Sequence, residues 1–223
     1  MCVTYTPAKP SLVQRMTGQE LAADYPAQAY PGYAAPIVKS NAGEGVDRGS
    51  LVVSVARFGL VPSWSKDVAI GRRTYNARTE TVAEKPSYRT AWRQRQFCLV
   101  PMQEFFEPSW ETGKAVQWSI HRTDGEPFTV AAIWDVWTDR ATGEIVESFS
   151  MLTINADGHP IMGRFHHKAD EKRSLVVVPT AQWSDWLHAS TEQAIGMLSA
   201  MNAEQFNATP RPTARESSQA ELI

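Results

Sequence analysis

Cys2 carries the most distinctive chemistry in this sequence, because it becomes the N-terminal residue once Met1 is removed. Its small side chain is of the kind that methionine aminopeptidase tolerates at position 2. The freed residue has an amine with a pKa of about 8 and a thiol with a pKa of about 8.5, so both nucleophiles are partly available at neutral pH. Such a pair can condense with an aldehyde, first as an imine and then as a five-membered thiazolidine ring. Taken alone, a cysteine at this position favours the other interpretation, an incidental residue on a frayed terminus.

Glu107 is a candidate acid or base, because it stands inside an aromatic, strand-like run between Phe106 and Pro108. A buried carboxylate is costly unless it is paired, and an apolar pocket can raise its pKa toward neutrality. Glu104 is a competing candidate three residues away. Either glutamate could instead lie on the solvent face of a strand.

Three of the five histidines, His159, His166 and His167, lie in the run 158–173, and histidine is the usual proton carrier near neutral pH. The same run contains basic residues that would attract a phosphate backbone: Arg164, Lys168, Lys172 and Arg173. No carboxylate stands at the HExxH spacing, and no CxxC, GxGxxG or P-loop motif is present, so we predict neither a metal site nor a cofactor.

The segment 75–81 adds polar groups that suit a sugar-phosphate ligand. Asn76 can position a small polar group, and Arg78 can pair bidentately with a phosphate. Glu80 would be the local partner of Arg78 if the segment is only a solvated helix start. Eight tryptophans, including Trp64 and Trp110, offer aromatic faces that could stack on bases, although core packing accounts for most of them.

The elements that would position these side chains are mainly strands, because short apolar runs alternate with turn signals such as Asp124-Gly125 and Thr142-Gly143. The predicted strands are 51–60, 96–102, 105–110, 115–122, 127–137, 148–154 and 174–179. Short connections imply a mostly antiparallel sheet, and with flanking helices the predicted class is α+β.

Helices are predicted in three places. Residues 17–25 form a short helix with Thr17 and Glu20 as a capping box, residues 76–92 are helix-compatible up to a break at Pro86, and residues 182–201 form one or two helices. Residues 26–50, rich in Pro, Gly and Ala, indicate loop and turn.

The chain of 223 residues suits one domain, for which we predict residues 1–201, followed by a flexible tail over 202–223. No apolar run approaches the roughly 18 residues of a membrane span, and we expect a cytoplasmic monomer that joins the nucleoid when bound to DNA. Two cysteines cannot build a disulfide framework. The net charge of −2 argues against a general nucleic-acid coat protein, so DNA binding would need a local basic groove.

Several segments together, in order and spacing over roughly residues 1–190, resemble the SRAP family of SOS-response-associated proteins. They are Met1-Cys2, FGLVPSW (58–64), NARTET (76–81), CLVPMQEFFEP (98–108) and FHHKADEKRSLVVVP (165–179). The resemblance implies that the N-terminal cysteine cross-links to the ring-opened deoxyribose of an abasic site in single-stranded DNA, as a thiazolidine that shields the lesion. It also implies possible strand-cleaving lyase activity through the imine and a history of N-terminal self-processing.

The same resemblance implies a role for each matching residue. Asn76 would hold the opened sugar, Glu107 would handle protons at the amine and sugar, and His166, with His167 as the fallback, would assist ring opening. Arg78 would bind phosphate. The further DNA contacts that we expect are Trp64, Arg164 and Arg173.

This sequence departs from the family pattern at three places. Val3-Thr4 replaces Gly-Arg, so a DNA-contacting arginine is missing; Pro108 replaces a tryptophan; and residues 33–36 replace NVAP with YAAP. Two other functions fit the same residues. One is a cysteine peptidase that uses Cys2, and the other is a non-covalent single-strand binder that uses Trp64 and the basic run at 164–173.

Overall fold

Five strands of the sheet close into a barrel. The computed structural model describes residues 2–21, 23–41 and 50–211, and this part of the chain contains ten strands and four α-helices. The barrel strands are β2 (Ala34–Ser40), β3 (Leu51–Phe58), β5 (Phe97–Ser109), β7 (Phe128–Thr138) and β8 (Ile145–Asn155). The pairings β2–β3, β2–β5, β5–β7 and β7–β8 are antiparallel, and the parallel pairing β3–β8 closes the ring. The predicted α+β class with a mostly antiparallel sheet is confirmed.

The other strands extend the barrel at its edges. They are β1 (Thr4–Pro7), β4 (Asn76–Arg78), β6 (Val116–Arg122), β9 (Arg173–Leu175) and β10 (Phe206–Pro210). Strands β1 and β6 both pair with the second half of β5, while β7 pairs with its first half. The two strands predicted over 96–102 and 105–110 are therefore one strand of 13 residues, because its neighbours keep the backbone extended through Gln103 and Glu104.

Alternation along the barrel strands divides the apolar side chains between two cores. All five barrel strands contribute to the first core, which includes Ile37, Phe58, Val100, Val130 and Phe149. Their neighbours in sequence contribute to the second core, which packs against the helices and includes Val38, Leu99, Leu152, Trp92 and Trp186. The first core also contains Cys2, so the start of the described chain is part of the barrel interior.

The helix predicted over 17–25 is wrong, because helix α1 spans Pro10–Thr17 and ends where the predicted helix begins. Pro10 occupies the first turn, where a missing N–H costs nothing. Gly18 ends the helix in the left-handed conformation, and Thr17 donates its hydroxyl to Val13 O instead of capping a following helix.

Two further assignments differ from the sequence prediction. The segment 26–50, predicted as loop, contains β2, whose Pro36 had suggested a turn. The segment 76–92, predicted as helix-compatible, contains strand β4, a series of turns and only the short helix α2 (Arg89–Arg93). Strand β4 forms because it pairs in parallel with β8, a long-range contact that local sequence does not reveal.

The C-terminal part contains the two helices α3 (Trp183–His188) and α4 (Thr191–Met197) and then β10, which pairs with β6. The predicted domain boundary at residue 201 therefore falls before a paired strand whose Phe206 is buried. The rest of the predicted tail, 212–223, lies outside the described residues. No helix in the described part of the chain is long and apolar enough to cross a membrane.

Candidate active site

Cys2 is fixed at the entrance of strand β1 and is 1% exposed. Pairing of Thr4 with Phe106 aligns the chain beside β5. The side-chain amide of Asn76 donates to the backbone oxygen of Cys2 at 2.7 Å, and the Cys2 thiol lies 3.5 Å from Thr4 O. Cys2 is therefore not on a frayed terminus, because both its backbone and its sulfur have defined partners.

Asn76 is placed by two neighbouring features of the chain. Its strand β4 pairs with β8 at Met151, and the hydroxyl of Tyr88 donates to Asn76 O at 3.0 Å. Asn76 is 8% exposed, and within the described residues its side-chain oxygen Oδ1 has no hydrogen-bond partner. The side chain thus holds Cys2 with its amide nitrogen and leaves an acceptor buried beside it.

Glu107 and His166 form a pair, with 2.9 Å between Glu107 Oε2 and His166 Nε2. The Glu107 side chain is 2% exposed and that of His166 is 16% exposed, and the imidazole gives the buried carboxylate the polar partner that it needs. His166 adopts a left-handed backbone with φ of 62°, and its N–H donates to Pro108 O at 2.8 Å. His167 points elsewhere, with its ring edge-on to Trp110 at 5.9 Å between centroids.

The electrostatics link this pair to Cys2. Burial, followed by the negative charge of Glu107, raises the pKa of the Cys2 thiol well above its usual range. Burial and the charges of Cys2 and Glu107 also raise the pKa of Tyr75. At neutral pH the thiol is therefore protonated, and a reaction at sulfur requires a group that accepts this proton. Tyr75 is a neighbour of the site that the sequence analysis missed, although it directly precedes Asn76.

Glu104, the competing carboxylate, belongs to a different group of side chains. It accepts hydrogen bonds from Thr6 at 3.2 Å and from Ser119, and it pairs with Arg211 at 3.3 Å. Because side chains alternate along a strand, Glu104 and Glu107, three residues apart, face opposite sides of β5. This arrangement favours Glu107 as the candidate acid or base.

Three of the expected DNA contacts are on the surface. Trp64 is 53% exposed, and its indole N–H donates to Pro86 O. The side chains of Arg78 and Arg164 are 50% and 41% exposed, and each is paired with a carboxylate. Arg78 lies 2.7 Å from Glu171, and Arg164 makes two hydrogen bonds to Glu111 at 3.0 and 3.1 Å.

Arg173 does not share this surface position, which corrects its predicted contact with DNA. Its side chain is 2% exposed and pairs with Glu80 and Glu171, while it also donates to Thr153 O. Glu80 follows β4, Thr153 lies in β8 and Glu171 precedes β9, so the guanidinium ties these parts of the sheet edge together beside Asn76. The run DEKR could not reveal this burial, because Arg164 and Arg173 look alike as members of one basic segment.

No group of three or more His, Cys, Asp or Glu side chains in the described part of the chain is arranged to hold a metal ion. The candidate site therefore consists of Cys2, Asn76, Glu107 and His166, which the fold brings together from β1, β4, β5 and the segment before β9. A thiol held beside an amide and a carboxylate–imidazole pair can perform nucleophilic addition with proton transfer.

The family model described as SOS response associated peptidase (SRAP) matches residues 1–214. Among curated proteins, the chain is 32% identical over 135 residues to the abasic site processing protein YoaM of Bacillus subtilis. That match covers 59% of this chain and 55% of the relative. The abasic site processing protein HMCES of Pongo abelii is 22% identical over 185 residues, with 68% of this chain and 50% of the relative covered. The chain thus spans about half the length of these relatives.

The fold also occurs in solved structures. A protein from Bordetella bronchiseptica, 28% identical, superimposes with a TM-score of 0.86 over 95% of this chain and all of that one. A protein from Bacteroides thetaiotaomicron, 23% identical, gives a TM-score of 0.78 over 94% of this chain and 91% of its own.

Proposed function

This chain belongs to the SRAP family, and from that premise we propose that it processes abasic sites in single-stranded DNA by joining Cys2 covalently to the opened sugar. The observation that carries the proposal is the hydrogen bond from Asn76 to the Cys2 carbonyl, which fixes Cys2 in a buried site together with Glu107 and His166. The relatives are named abasic site processing proteins, which supports an abasic site as the substrate.

The proposed chemistry is a redox-neutral condensation. After removal of Met1, the amine of Cys2 attacks the C1′ aldehyde of the ring-opened deoxyribose, and loss of water gives an imine. The sulfur then adds to the imine carbon, and the thiol proton ends on the ring nitrogen. The product is a thiazolidine that links the strand to the protein.

The remaining residues of the site supply positioning and proton transfer. Asn76 Oδ1 is a buried acceptor for a hydroxyl of the opened sugar. His166 donates a proton to the sugar ring oxygen as the ring opens and Glu107 supports its charged form, because the two side chains are in direct contact. Glu107 also accepts the proton that the Cys2 thiol gives up.

The order of steps in this condensation suits a thiol whose pKa is raised by burial and by the charge of Glu107. In the condensation the amine reacts first, and the thiol adds only after the imine has formed. The surface arginines Arg78 and Arg164, with Trp64, are proposed to contact the strand, and we keep the monomer as the proposed form.

The test is the intact mass of the protein after incubation with a single-stranded oligonucleotide that contains one abasic site. We expect loss of Met1 and a heat-stable adduct of one protein with one strand. Cys2→Ala is expected to abolish the adduct. The matched control is Cys98→Ala, since Cys98 is the other buried thiol and lies in the same core.

Each alternative has its own outcome in this experiment. An undiminished adduct with Cys2→Ala would contradict the proposal. Retention of the strand that salt reverses, with no adduct in any variant, would indicate a non-covalent binder instead. Hydrolysis of peptide substrates that a thiol reagent blocks would indicate the peptidase.

A further inference from the structure

The ammonium group of Lys172 lies among three consecutive backbone carbonyls. Its Nζ donates to Phe165 O at 2.8 Å, to His166 O at 3.4 Å and to His167 O at 2.8 Å. An ammonium has three hydrogens to donate, so these carbonyls satisfy it completely. The basic run at 158–173 had suggested a phosphate contact for Lys172, but its charge is used within the protein.

The three carbonyls converge because the backbone turns back at His166. Among the described residues other than glycine, only His166 and Arg95 have a positive φ. This conformation is disfavoured for a residue with a Cβ and persists only when its surroundings enforce it. Here it directs the carbonyls of 165–167 toward Lys172 and places the imidazole of His166 on Glu107.

The backbone of Lys172 is held by two hydrogen bonds. Its backbone N–H donates to Asp157 Oδ1 at 3.2 Å, and its carbonyl accepts from Ala156 N at 2.8 Å. Both partners follow the end of β8, which belongs to the barrel. The backbone of Lys172 is therefore anchored beside the end of β8 by contacts that do not involve the turn at His166.

We propose that Lys172 is a positioning residue that holds His166 against Glu107 by binding the carbonyls of 165–167. The inference rests on the proposed function, because it assigns the purpose of this turn to the His166–Glu107 pair. Lys172 touches neither the strand nor the reacting atoms. It acts through the backbone, and its loss lets the turn relax and the imidazole leave the carboxylate.

The first test measures adduct formation by Lys172→Met over a range of abasic-DNA concentrations. The maximal rate is expected to fall by roughly ten- to one hundred-fold, because misplaced proton-transfer groups cost that much. The DNA concentration for half-maximal rate is expected to stay within about twofold, since no phosphate contact is lost. Lys172→Arg, which keeps the charge and several donors, is expected to recover part of the rate.

A double variant separates positioning from a general loss of structure. In a His166→Ala background, Lys172→Met is expected to change the maximal rate by less than about twofold, because residues that act through one another are not additive. The matched control is Lys9→Met, which removes an exposed lysine from another part of the chain. A multiplicative effect in the double variant, or a raised half-saturation concentration with an unchanged rate, overturns the proposal.

A second readout does not depend on cross-linking. In a protein with ¹⁵N-labelled histidine, Lys172→Met and Lys172→Gln are expected to shift the Nε2 resonance of His166 while His188, on helix α3, stays in place. An unmoved His166 resonance in both folded variants overturns the positioning role. If wild-type protein forms no adduct, the proposed function fails, and this measurement still decides the role of Lys172.

Discussion

Arg78 and Arg164 are both held by carboxylates in the structure, by Glu171 and Glu111 respectively. The hydrogen bond from Arg173, and to a lesser extent the charge of Arg78, lowers the pKa of Glu171. The hydrogen bond from Arg164 lowers the pKa of Glu111, so both glutamates are ionised at neutral pH. A phosphate that approaches either arginine must replace a carboxylate of similar shape and charge. Each glutamate thus competes with a DNA phosphate for its arginine and weakens any contact of that arginine with DNA.

Replacement of Glu111 by Gln is expected to raise affinity for an undamaged single strand by up to about fivefold, because an exposed ion pair such as Arg164–Glu111 is worth at most about 1 kcal/mol. Fluorescence anisotropy at low salt measures this change. Glu84→Gln, an exposed glutamate elsewhere, is the charge-matched control. An unchanged affinity would show that Arg164 does not contact the strand.

Arg173 gives a prediction with a defined pH dependence. Its hydrogen bonds lower the pKa of Glu171, and at Glu80 they outweigh the effect of burial and lower the pKa as well. Groups with a depressed folded-state pKa stabilise the protein above their unfolded pKa and lose that contribution as the pH falls through the folded value. Stabilisation by Arg173 is therefore complete at pH 7, begins to weaken as the pH falls below the unfolded pKa of about 4.3, and is lost as the pH passes through the lower folded pKa values of the two glutamates.

We expect Arg173→Met to lower the free energy of unfolding by about 2–4 kcal/mol at pH 7, since charged hydrogen bonds to a buried guanidinium are lost. The difference from wild type is expected to be smaller at pH 3.5, because part of the stabilisation is lost once the pH lies below the unfolded pKa of about 4.3. Urea unfolding at the two pH values measures both numbers. An equal difference at both pH values would indicate lost packing rather than lost ion pairs.

At the scale of elements, the segment that leads into Asn76 depends on a close contact between two glycines. Gly59 follows β3 with φ of 109°, and a Cβ there would lie 2.1 Å from Gly71 O. Gly71 belongs to a 3₁₀ helix, Val68–Arg73, that directly precedes Tyr75 and β4. The distance between these backbones therefore fixes where the amide of Asn76 meets Cys2.

Gly59→Ala is expected to destabilise the fold by more than about 3 kcal/mol, because backbone rather than a flexible side chain must move. Thermal unfolding measures the effect. Gly196→Ala in helix α4, where a Cβ meets nothing, is expected to stabilise by about 0.5–1 kcal/mol. Equal changes in stability for the two variants would show that the close Gly59–Gly71 contact does not contribute to the stability of the fold.

Sequence reasoning predicted the strands that alternate and end in turns, such as β6 and β7, and failed where local signals conflicted with the sheet. Pro36 suggested a turn, yet β2 accommodates it in the barrel. The four residues of the site were identified from the family resemblance, and their contacts were not predictable. The choice between His166 and His167 depends on a left-handed backbone, and the burial of Arg173 depends on strands distant in sequence.

For the whole molecule, the last described strand decides where the domain can be cut. Strand β10 covers the edge of β6, and Phe206 packs on Phe128 with 5.0 Å between ring centroids. We expect a chain that ends at Arg211 to unfold at the temperature of the full chain. A chain that ends at Met201 is expected to lose at least about 3 kcal/mol, the usual cost of removing a buried aromatic ring. Calorimetry of both truncations compares them, and equal stabilities would place the boundary at 201 after all.

The attachment of Cys2 to the four-residue strand β1 has a mechanical consequence. If the adduct forms as proposed, a force applied to the DNA enters the protein at Cys2 and pulls on β1. Among the described residues, β1 pairs with β5 and makes one further bridge, between Tyr5 and Ala29. Optical-tweezer pulling from Cys2 should detach β1 first, before the barrel strands, and an all-or-none rupture would contradict this order. A motor protein that moves along the DNA and meets the adduct would then unfold the protein starting from Cys2. The covalent link to the DNA would survive, and the side chains of the first core would become exposed to solvent.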